Sequence, residues 1–274
     1  MTTMMNGSEV DVFEAGHGPL VVLLHSSVAG ARQWRRLIER LSGTYHVKAV
    51  NLFGYGRTPA WTAARPQTLA DQAALVEAVL PDGAEDIALV GHSFGGSVAM
   101  QAAAGLGRRV SRLVLIEPNP FGILRDHGRS EAVAEVTRLR DIVKQGGAGG
   151  EWMAAAAQFA DYWNGEGTWD AATPERRIAF AEGLKPNVHE WDAIMNETTP
   201  LQDWAERLPG STLVVEAADT VRPIREIVGL MREMTPWQVA TIPRGGHMAP
   251  LTHPELVNPL VAGFLDRRDD AASR

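Results

Sequence analysis

A serine held at a sharp turn, with a histidine and a carboxylate placed to reach it, can carry acyl transfer using side chains alone. The sequence supplies such a serine in Gly91-His92-Ser93-Phe94-Gly95. An apolar run, Ile87 to Val90, comes before it and an Ala-rich, helix-forming run follows, so the pattern reads strand, tight turn, helix. The glycines two before and two after Ser93 allow strand and helix to approach closely enough to hold the serine in a strained, exposed turn. A serine hydroxyl is a poor nucleophile near neutral pH. It needs a base for its proton and a third group to orient that base. Loops leaving the carboxyl ends of parallel strands gather on one edge of a sheet, so the partners are sought directly after strands. Asp219, beyond Thr212 to Val215, and His247, in Pro243-Arg-Gly-Gly-His247 beyond Trp237 to Ile242, meet that condition.

The elements that must position these groups alternate along the chain. Val10 to Phe13 has strand periodicity. Leu20 to Leu24 is a continuous apolar run suited to a central strand buried on both faces. It ends in a loop of small residues, His25 to Gly30. Trp34, Leu37, Ile38 and Leu41 then share one helical face. A strand is expected over His46 to Val50, a glycine-punctuated loop over Asn51 to Pro59, a helix over Leu69 to Leu80, and a strand over Arg112 to Ile116. From about Phe121 to Pro200 the alternation stops and helical runs take over, such as Glu131 to Val143 and Glu151 to Trp163. Five of the eight tryptophans (152, 163, 169, 191 and 204) lie within or just after this stretch, where packing of an insertion on the core is their simplest use. The alternation then resumes through a helix at Pro223 to Met234 and closes with Pro254 to Leu265. Arg267 to Arg274 is polar and is expected to fray. This is the pattern of an α/β fold, a mostly parallel central sheet with helices on both faces, interrupted by a helical cap. The core is expected over 1–120 and 201–274 and the cap over 121–200. A dinucleotide-binding fold shares the alternation, but the first strand-to-helix turns carry no Gly-x-Gly-x-x-Gly.

The 274 residues are 45% hydrophobic and 22% charged, the balance of a soluble globular chain. A net charge of −7, with no basic cluster interleaved with aromatics, gives no pull toward nucleic acid or an anionic membrane. The absence of cysteine removes disulfides, thiolate metal sites and a Cys nucleophile. The amino terminus does not read as a signal peptide, and no apolar run reaches the roughly 18 residues that span a bilayer. A cytoplasmic protein is expected, with a small-molecule acyl substrate, no nucleic-acid or membrane partner, no organic cofactor and no metal. Homo-oligomerisation stays open.

Taken together, these pieces resemble an α/β-hydrolase fold protein of the lidded, esterase-like serine hydrolase branch, over nearly the whole chain. The resemblance is carried by His25 with its small-residue loop and Trp34, by Asn51-Leu-Phe-Gly-Tyr-Gly-Arg-Thr, by Gly-His-Ser93-Phe-Gly-Gly, by Asp219 after a late strand, and by Gly-Gly-His247-Met-Ala-Pro-Leu. The chain order Ser, Asp, His is also that of the α/β-hydrolases. The resemblance implies Ser93 as nucleophile, His247 as general base and then acid, and Asp219 as the orienting carboxylate. It implies an oxyanion hole from the backbone N–H groups of Phe94 and Ser27. Three departures stand out: Ser26 where the family usually has Gly, Asn51 where it usually has Asp, and Glu216-Ala217 where a Gly generally precedes the acid. Glu216 is thereby a rival carboxylate. Some relatives carry the acid after the strand that follows the elbow, which would nominate Glu117 or Asn119. His25 is read as a tie for the oxyanion loop that also borders the substrate, together with Ser26, Trp163 and Met248. Tyr162 is a further aromatic candidate for the pocket. His92 is read as facing the fold or pocket wall.

The chemistry expected is cofactor-independent hydrolysis of a small or medium carboxylic ester, or a lactone, through an acyl-enzyme on Ser93. The alternatives are hydrolytic cleavage of a carbon–carbon bond in a ring-cleavage product, cofactor-free perhydrolysis, and, from a different class, a ligand receptor without turnover on the same fold. An aspartate nucleophile would have signalled a dehalogenase or an epoxide hydrolase, and Ser93 stands in its place.

Overall fold

The eight strands are β1 (Thr2–Met5), β2 (Ser8–Ala15), β3 (Leu20–Leu24), β4 (His46–Val50), β5 (Ile87–His92), β6 (Val110–Ile116), β7 (Thr212–Ala217) and β8 (Gln238–Ile242). In the computed structural model, which describes residues 2–5 and 8–267, they form one sheet in the order β1-β2-β4-β3-β5-β6-β7-β8. β1 and β2 run antiparallel to their neighbours, and every pairing from β4 through β8 is parallel. The segment β1 was not among the expected strands. Of the tail expected to fray, the part beyond Arg267 lies outside the described residues.

The apolar runs make central strands because both faces are covered. On β3, Val21 and Leu23 face one side and Val22 and Leu24 the other, all of them fully buried. The first side packs on α1 (Arg35–Leu41) and α13 (Pro254–Leu265), through Leu37, Leu41, Val257 and Val261. The second packs on α2 (Leu69–Val79), α3 (Phe94–Leu106), α10 (Leu201–Arg207) and α11 (Arg222–Met234), through Leu75, Val98, Trp204 and Ile227. A capping box fixes the start of α2, with the Thr68 side chain taking the Asp71 N–H and the Asp71 carboxylate taking the Thr68 N–H.

Between β6 and β7 the described chain holds helices and no strand: α4 (Gly122–Asp126), α5 (Ser130–Gly149), α6 (Trp152–Asn164), α7 (Thr168–Ala171), α8 (Pro174–Leu184) and α9 (Asn187–Met195). α10 follows before the sheet resumes, and the short α12 (Ala249–Thr252) precedes α13. The insertion joins the apolar cluster on the α3 side of the sheet, where Trp163, Leu184, Trp191 and Ile194 are buried. Among the described residues no helix is long and apolar enough to cross a membrane.

Candidate active site

Ser93 sits between the last residue of β5 and the first of α3, with φ 54° and ψ −121°. A non-glycine residue in this region is strained and persists only where its surroundings enforce it. The two glycines of the pentapeptide do so by absence of a side chain. A Cβ on Gly91 would lie 2.2 Å from the Gly95 carbonyl oxygen, and one on Gly95 would lie 2.3 Å from the Leu24 oxygen and 2.4 Å from that of His25. Strand end, helix start and the end of β3 are therefore pressed together, and Ser93 is turned toward the carboxyl edge of the sheet.

At that edge the Ser93 hydroxyl meets His247. Ser93 Oγ lies 2.8 Å from His247 Nε2, and His247 Nδ1 lies 3.0 Å from Glu117 Oε2. All three side chains are almost wholly buried. The arrangement corrects the expectation for the acid: the carboxylate on His247 is that of Glu117, and Asp219 does not touch the imidazole. Asp219 instead accepts the backbone N–H groups of Gly246 (2.8 Å) and Gly245 (3.2 Å), bracing the turn that delivers His247 from outside. Partial burial alone would raise its pKa, but those two N–H groups, with its own backbone N–H and nearby His253, outweigh burial and hold it below the ordinary carboxylate value.

The physical reason lies in the strand ends. β7 continues through Glu216 and Ala217, so Asp219 emerges at the surface. The neighbouring parallel strand β6 ends at Ile116, paired with Val215, and Glu117 turns inward from there with φ 46°. Its longer side chain then reaches the space beyond the end of β7. Oε1 accepts the Ala217 N–H at 2.6 Å, and Oε2 accepts the Thr220 hydroxyl together with His247 Nδ1. With its oxygens committed to three donors, the carboxylate is fixed in one pose. Glu216, the other rival, accepts from Arg232 and from Thr241 (3.0 Å), away from His247. Asn119 lies on the Ser93 side. Ser97 Oγ donates to its Oδ1 at 3.0 Å, which directs its Nδ2 toward Ser93 Oγ at 3.5 Å.

His92 holds the other side of His247, donating from Nε2 to its carbonyl oxygen at 2.8 Å. Complete burial, with the neighbouring His247 adding to it, pushes its pKa well below the ordinary histidine value, so it serves as a neutral donor. The indole of Trp163 lies against the His247 ring, with centroids 4.2 Å apart.

The loop after β3 faces the elbow. His25, expected to border the substrate, is withdrawn from it: the ring is fully buried, accepts the Leu52 N–H at Nε2 (3.1 Å) and donates from Nδ1 to the Ser26 oxygen (2.8 Å). Burial lowers its pKa to about 4, in keeping with a neutral ring that ties two loops. Ser26 borders the cavity, but its N–H (3.1 Å) and hydroxyl (2.8 Å) are both taken by Gln33 Oε1. The N–H groups of Ser27 and Phe94, by contrast, have no acceptor among the described residues, and both residues border the cavity. Asn51, where the family usually has Asp, accepts from Ala31 N–H and donates to Asp11, each at 2.8 Å.

The cavity over Ser93 has a volume of about 360 Å³, within the usual range of small-molecule pockets. Trp163, Phe159, Phe180 and Trp191 from the insertion and Phe94, Phe121 and Met248 from around the sheet edge make it largely apolar, and Arg176 brings a cation to its rim. Of the substrate-facing residues expected from the sequence, Ser26, Trp163 and Met248 border it. Tyr162 does not: its hydroxyl donates to Glu135 at 2.7 Å on another face of α6. Several wall residues went unnoticed in the sequence, among them Arg176 on α8 and Asn187 and Glu190 on α9. Nothing in their local pattern marks them. Among the described residues there is no grouping of His, Asp and Glu able to hold a metal ion.

Residues 21–260 match the family model described as the alpha/beta hydrolase family. Lipase LipV of Mycobacterium tuberculosis is 30% identical over 188 residues, covering 64% of this chain, which in turn spans 65% of that lipase. The 2-hydroxymuconate semialdehyde hydrolase of Pseudomonas sp. (strain CF600) is 26% identical over 288 residues, covering 97% of this chain and 93% of that enzyme. A solved structure of a hydrolase from Pseudomonas aeruginosa PA01 has the same fold, with a TM-score of 0.75 at 21% identity over 97% of each chain. With the family model covering most of its length, over an eight-stranded sheet whose elbow carries Ser93, the chain belongs to the alpha/beta hydrolase family.

Proposed function

We propose that the protein is a serine hydrolase that cleaves small or medium carboxylic esters or lactones through an acyl-enzyme on Ser93, with Glu117 in the place of the orienting acid. The observation that carries this reading is the unbroken chain from Ser93 Oγ to His247 Nε2 (2.8 Å) and from His247 Nδ1 to Glu117 (3.0 Å), under an apolar cavity. His247 Nε2 takes the hydroxyl proton as Ser93 Oγ attacks the substrate carbonyl carbon. The imidazolium so formed is held by the Glu117 carboxylate through Nδ1–H. The negative charge moves to the carbonyl oxygen, where the free N–H groups of Phe94 and Ser27 receive it. A preorganised donor of this kind lowers the barrier by about 3 kcal/mol. His247 then returns its proton to the departing alkoxide oxygen, and the alcohol leaves. Water, deprotonated by the same nitrogen, attacks the acyl-enzyme and releases the acid and Ser93. The helical insertion acts as a cap, its aromatic wall selecting an apolar acyl or aryl group.

A second reading keeps the triad and changes the bond. A relative matching 97% of this chain bears the name of a 2-hydroxymuconate semialdehyde hydrolase. Addition of Ser93 or water to a ketone can release a carbanion when the substrate itself delocalises that charge. The test for both readings is reaction with a fluorophosphonate probe, followed by kcat/KM over a panel of p-nitrophenyl esters, lactones and ring-cleavage dienoates. Failure of Ser93 to label in folded protein refutes both, and turnover confined to the dienoates refutes the first.

A further inference from the structure

The proposed oxyanion donor Ser27 is followed by Val28, whose φ is 69°. A β-branched residue in the left-handed region is a backbone outlier that must be imposed by its surroundings. The residues that impose it are Tyr55, in the loop after β4, and side chains and helices of the helical insertion. The Val28 N–H donates to Tyr55 Oη at 3.0 Å, and the Tyr55 hydroxyl donates to Glu190 Oε1 at 2.8 Å. The Ser27 hydroxyl donates to Glu190 Oε2 at 2.5 Å. Asn187 Nδ2 donates to the same Oε2 at 2.6 Å and to Ser27 Oγ at 3.1 Å. Helix α8 closes on the loop as well: a Cβ at Gly183 would lie 3.2 Å from Val28 Cγ1 and 3.3 Å from the Val28 oxygen.

Glu190 is an expensive way to fasten a helix. It is 1% exposed, and its partners among the described residues are one amide and two hydroxyl donors, with no cation among them. Burial pushes its pKa up against the pull of those donors. An apolar contact would hold two elements together without that desolvation cost. What the carboxylate adds is direction, since its two oxygens fix one residue by its side chain and the next, through Tyr55, by its backbone N–H.

We propose that Glu190 is a positioning residue for the oxyanion hole, so that the Ser27 N–H takes up its working direction only while α9 is docked on the loop. Seating of the cap over a substrate and completion of the transition-state site are then one event. The inference rests on the acyl-transfer reading of Ser93.

The experiment compares wild type, Glu190→Gln and Tyr55→Phe. Glutamine keeps the shape of Glu190 but places an N–H₂ where an acceptor is required, and phenylalanine removes the hydroxyl that links Glu190 to Val28. Each is assayed for kcat and KM on p-nitrophenyl butyrate, for affinity toward a trifluoromethyl ketone that forms a tetrahedral adduct, and for thermal unfolding. Direct loss of an oxyanion donor costs about 100- to 1,000-fold in kcat, so a misdirected donor is expected to cost about 10- to 100-fold. KM should stay within about threefold, and ketone affinity should fall in step with kcat/KM. A rise in KM alone, or kcat within twofold of wild type in both variants, overturns the proposal. If Glu190→Gln does not fold, Tyr55→Phe decides by the same criteria. Wild type that is not labelled by a fluorophosphonate at Ser93 removes the acyl-transfer reading and this inference together. Labelled, active wild type beside unaffected variants removes the inference alone.

Discussion

Replacing Glu117 by glutamine separates the two candidate acids. The carboxylate accepts from three donors at once: Ala217 N–H at 2.6 Å, the Thr220 hydroxyl, and His247 Nδ1–H at 3.0 Å. Glutamine has one acceptor oxygen, and its amide nitrogen must face one of those donors. If the oxygen stays on the Ala217 N–H, which cannot rotate, the N–H₂ faces His247. The imidazole then accepts at Nδ1, carries its proton on Nε2, and can no longer take one from Ser93. A wrong-tautomer swap of this kind costs on the order of 10⁴ in kcat, or about 5.4 kcal/mol at 1.36 kcal/mol per tenfold. Asp219→Asn leaves the Ser93–His247–Glu117 chain in place and weakens only the brace on Gly245 and Gly246, so its kcat should fall by less than about tenfold. Both variants are to be assayed on p-nitrophenyl acetate and butyrate, with thermal unfolding as the check on folding. The Thr220 hydroxyl, which loses its acceptor in Glu117→Gln, should lower stability by about 1–3 kcal/mol, the cost of one unsatisfied buried polar group. A Glu117→Gln enzyme within tenfold of wild type, beside an Asp219→Asn enzyme reduced 10³-fold or more, refutes the assignment and restores Asp219.

The remaining predictions concern stability and selectivity. Asp219, with its pKa depressed by the Gly246 and Gly245 N–H groups, contributes stability that is full above the unfolded carboxylate pKa and is lost as pH falls through the folded one. The gap in melting temperature between wild type and Asp219→Asn should therefore be widest at neutral pH and close in acid; a gap that widens on acidification contradicts this. Gly95→Ala places a Cβ 2.3 Å from the Leu24 oxygen, so it should give little soluble protein or a melting temperature lowered by 10 °C or more, read by circular dichroism. Arg176 is the cation at the cavity rim, and Arg176→Ala should raise KM for an aryl monoester of succinate by about two- to fivefold, the worth of an exposed charge contact, while leaving KM for the butyrate ester unchanged. An equal rise for both esters would mean that Arg176 acts by shape.

What could be read from the sequence were the features set by local rules. The elbow was legible because a strand run, two glycines and a helix run lie within about 20 residues, and each glycine there is forced by a close backbone approach. The central strands were legible because burial on both faces leaves continuous apolar runs such as Leu20 to Leu24. Which carboxylate meets His247 was not legible because both Asp219 and Glu117 follow strands, so post-strand position does not separate them. What separates them is where the strands stop. β7 runs two residues past the expected end at Val215, so Glu216 and Ala217 belong to the sheet and Asp219 is carried out to the surface. The missing glycine before Asp219 marked that difference, since Glu216-Ala217 occupy the turn position as regular strand. Glutamate, one methylene longer than aspartate, then reaches from β6 into the space beyond β7.

The pairing of β6 with β7, Ile116 beside Val215, makes the two acid positions neighbours in space although they are a hundred residues apart in the chain. Either strand end can therefore reach one histidine, and with Glu117 on His247, Asp219 is left to brace Gly245 and Gly246, the turn that presents that histidine. The contact between Ser27 and Glu190 follows a different logic. It joins residues 163 apart, with one partner on a helical insertion whose local pattern is that of any amphipathic helix, so no spacing rule marks it. Chemistry carried by the strand ends was readable because the sheet fixes where strand ends meet. The shape of the loop after β3 depends on how the insertion folds back over the sheet, through contacts among Val28, Gly183, Tyr55 and α9 that emerge only in three dimensions.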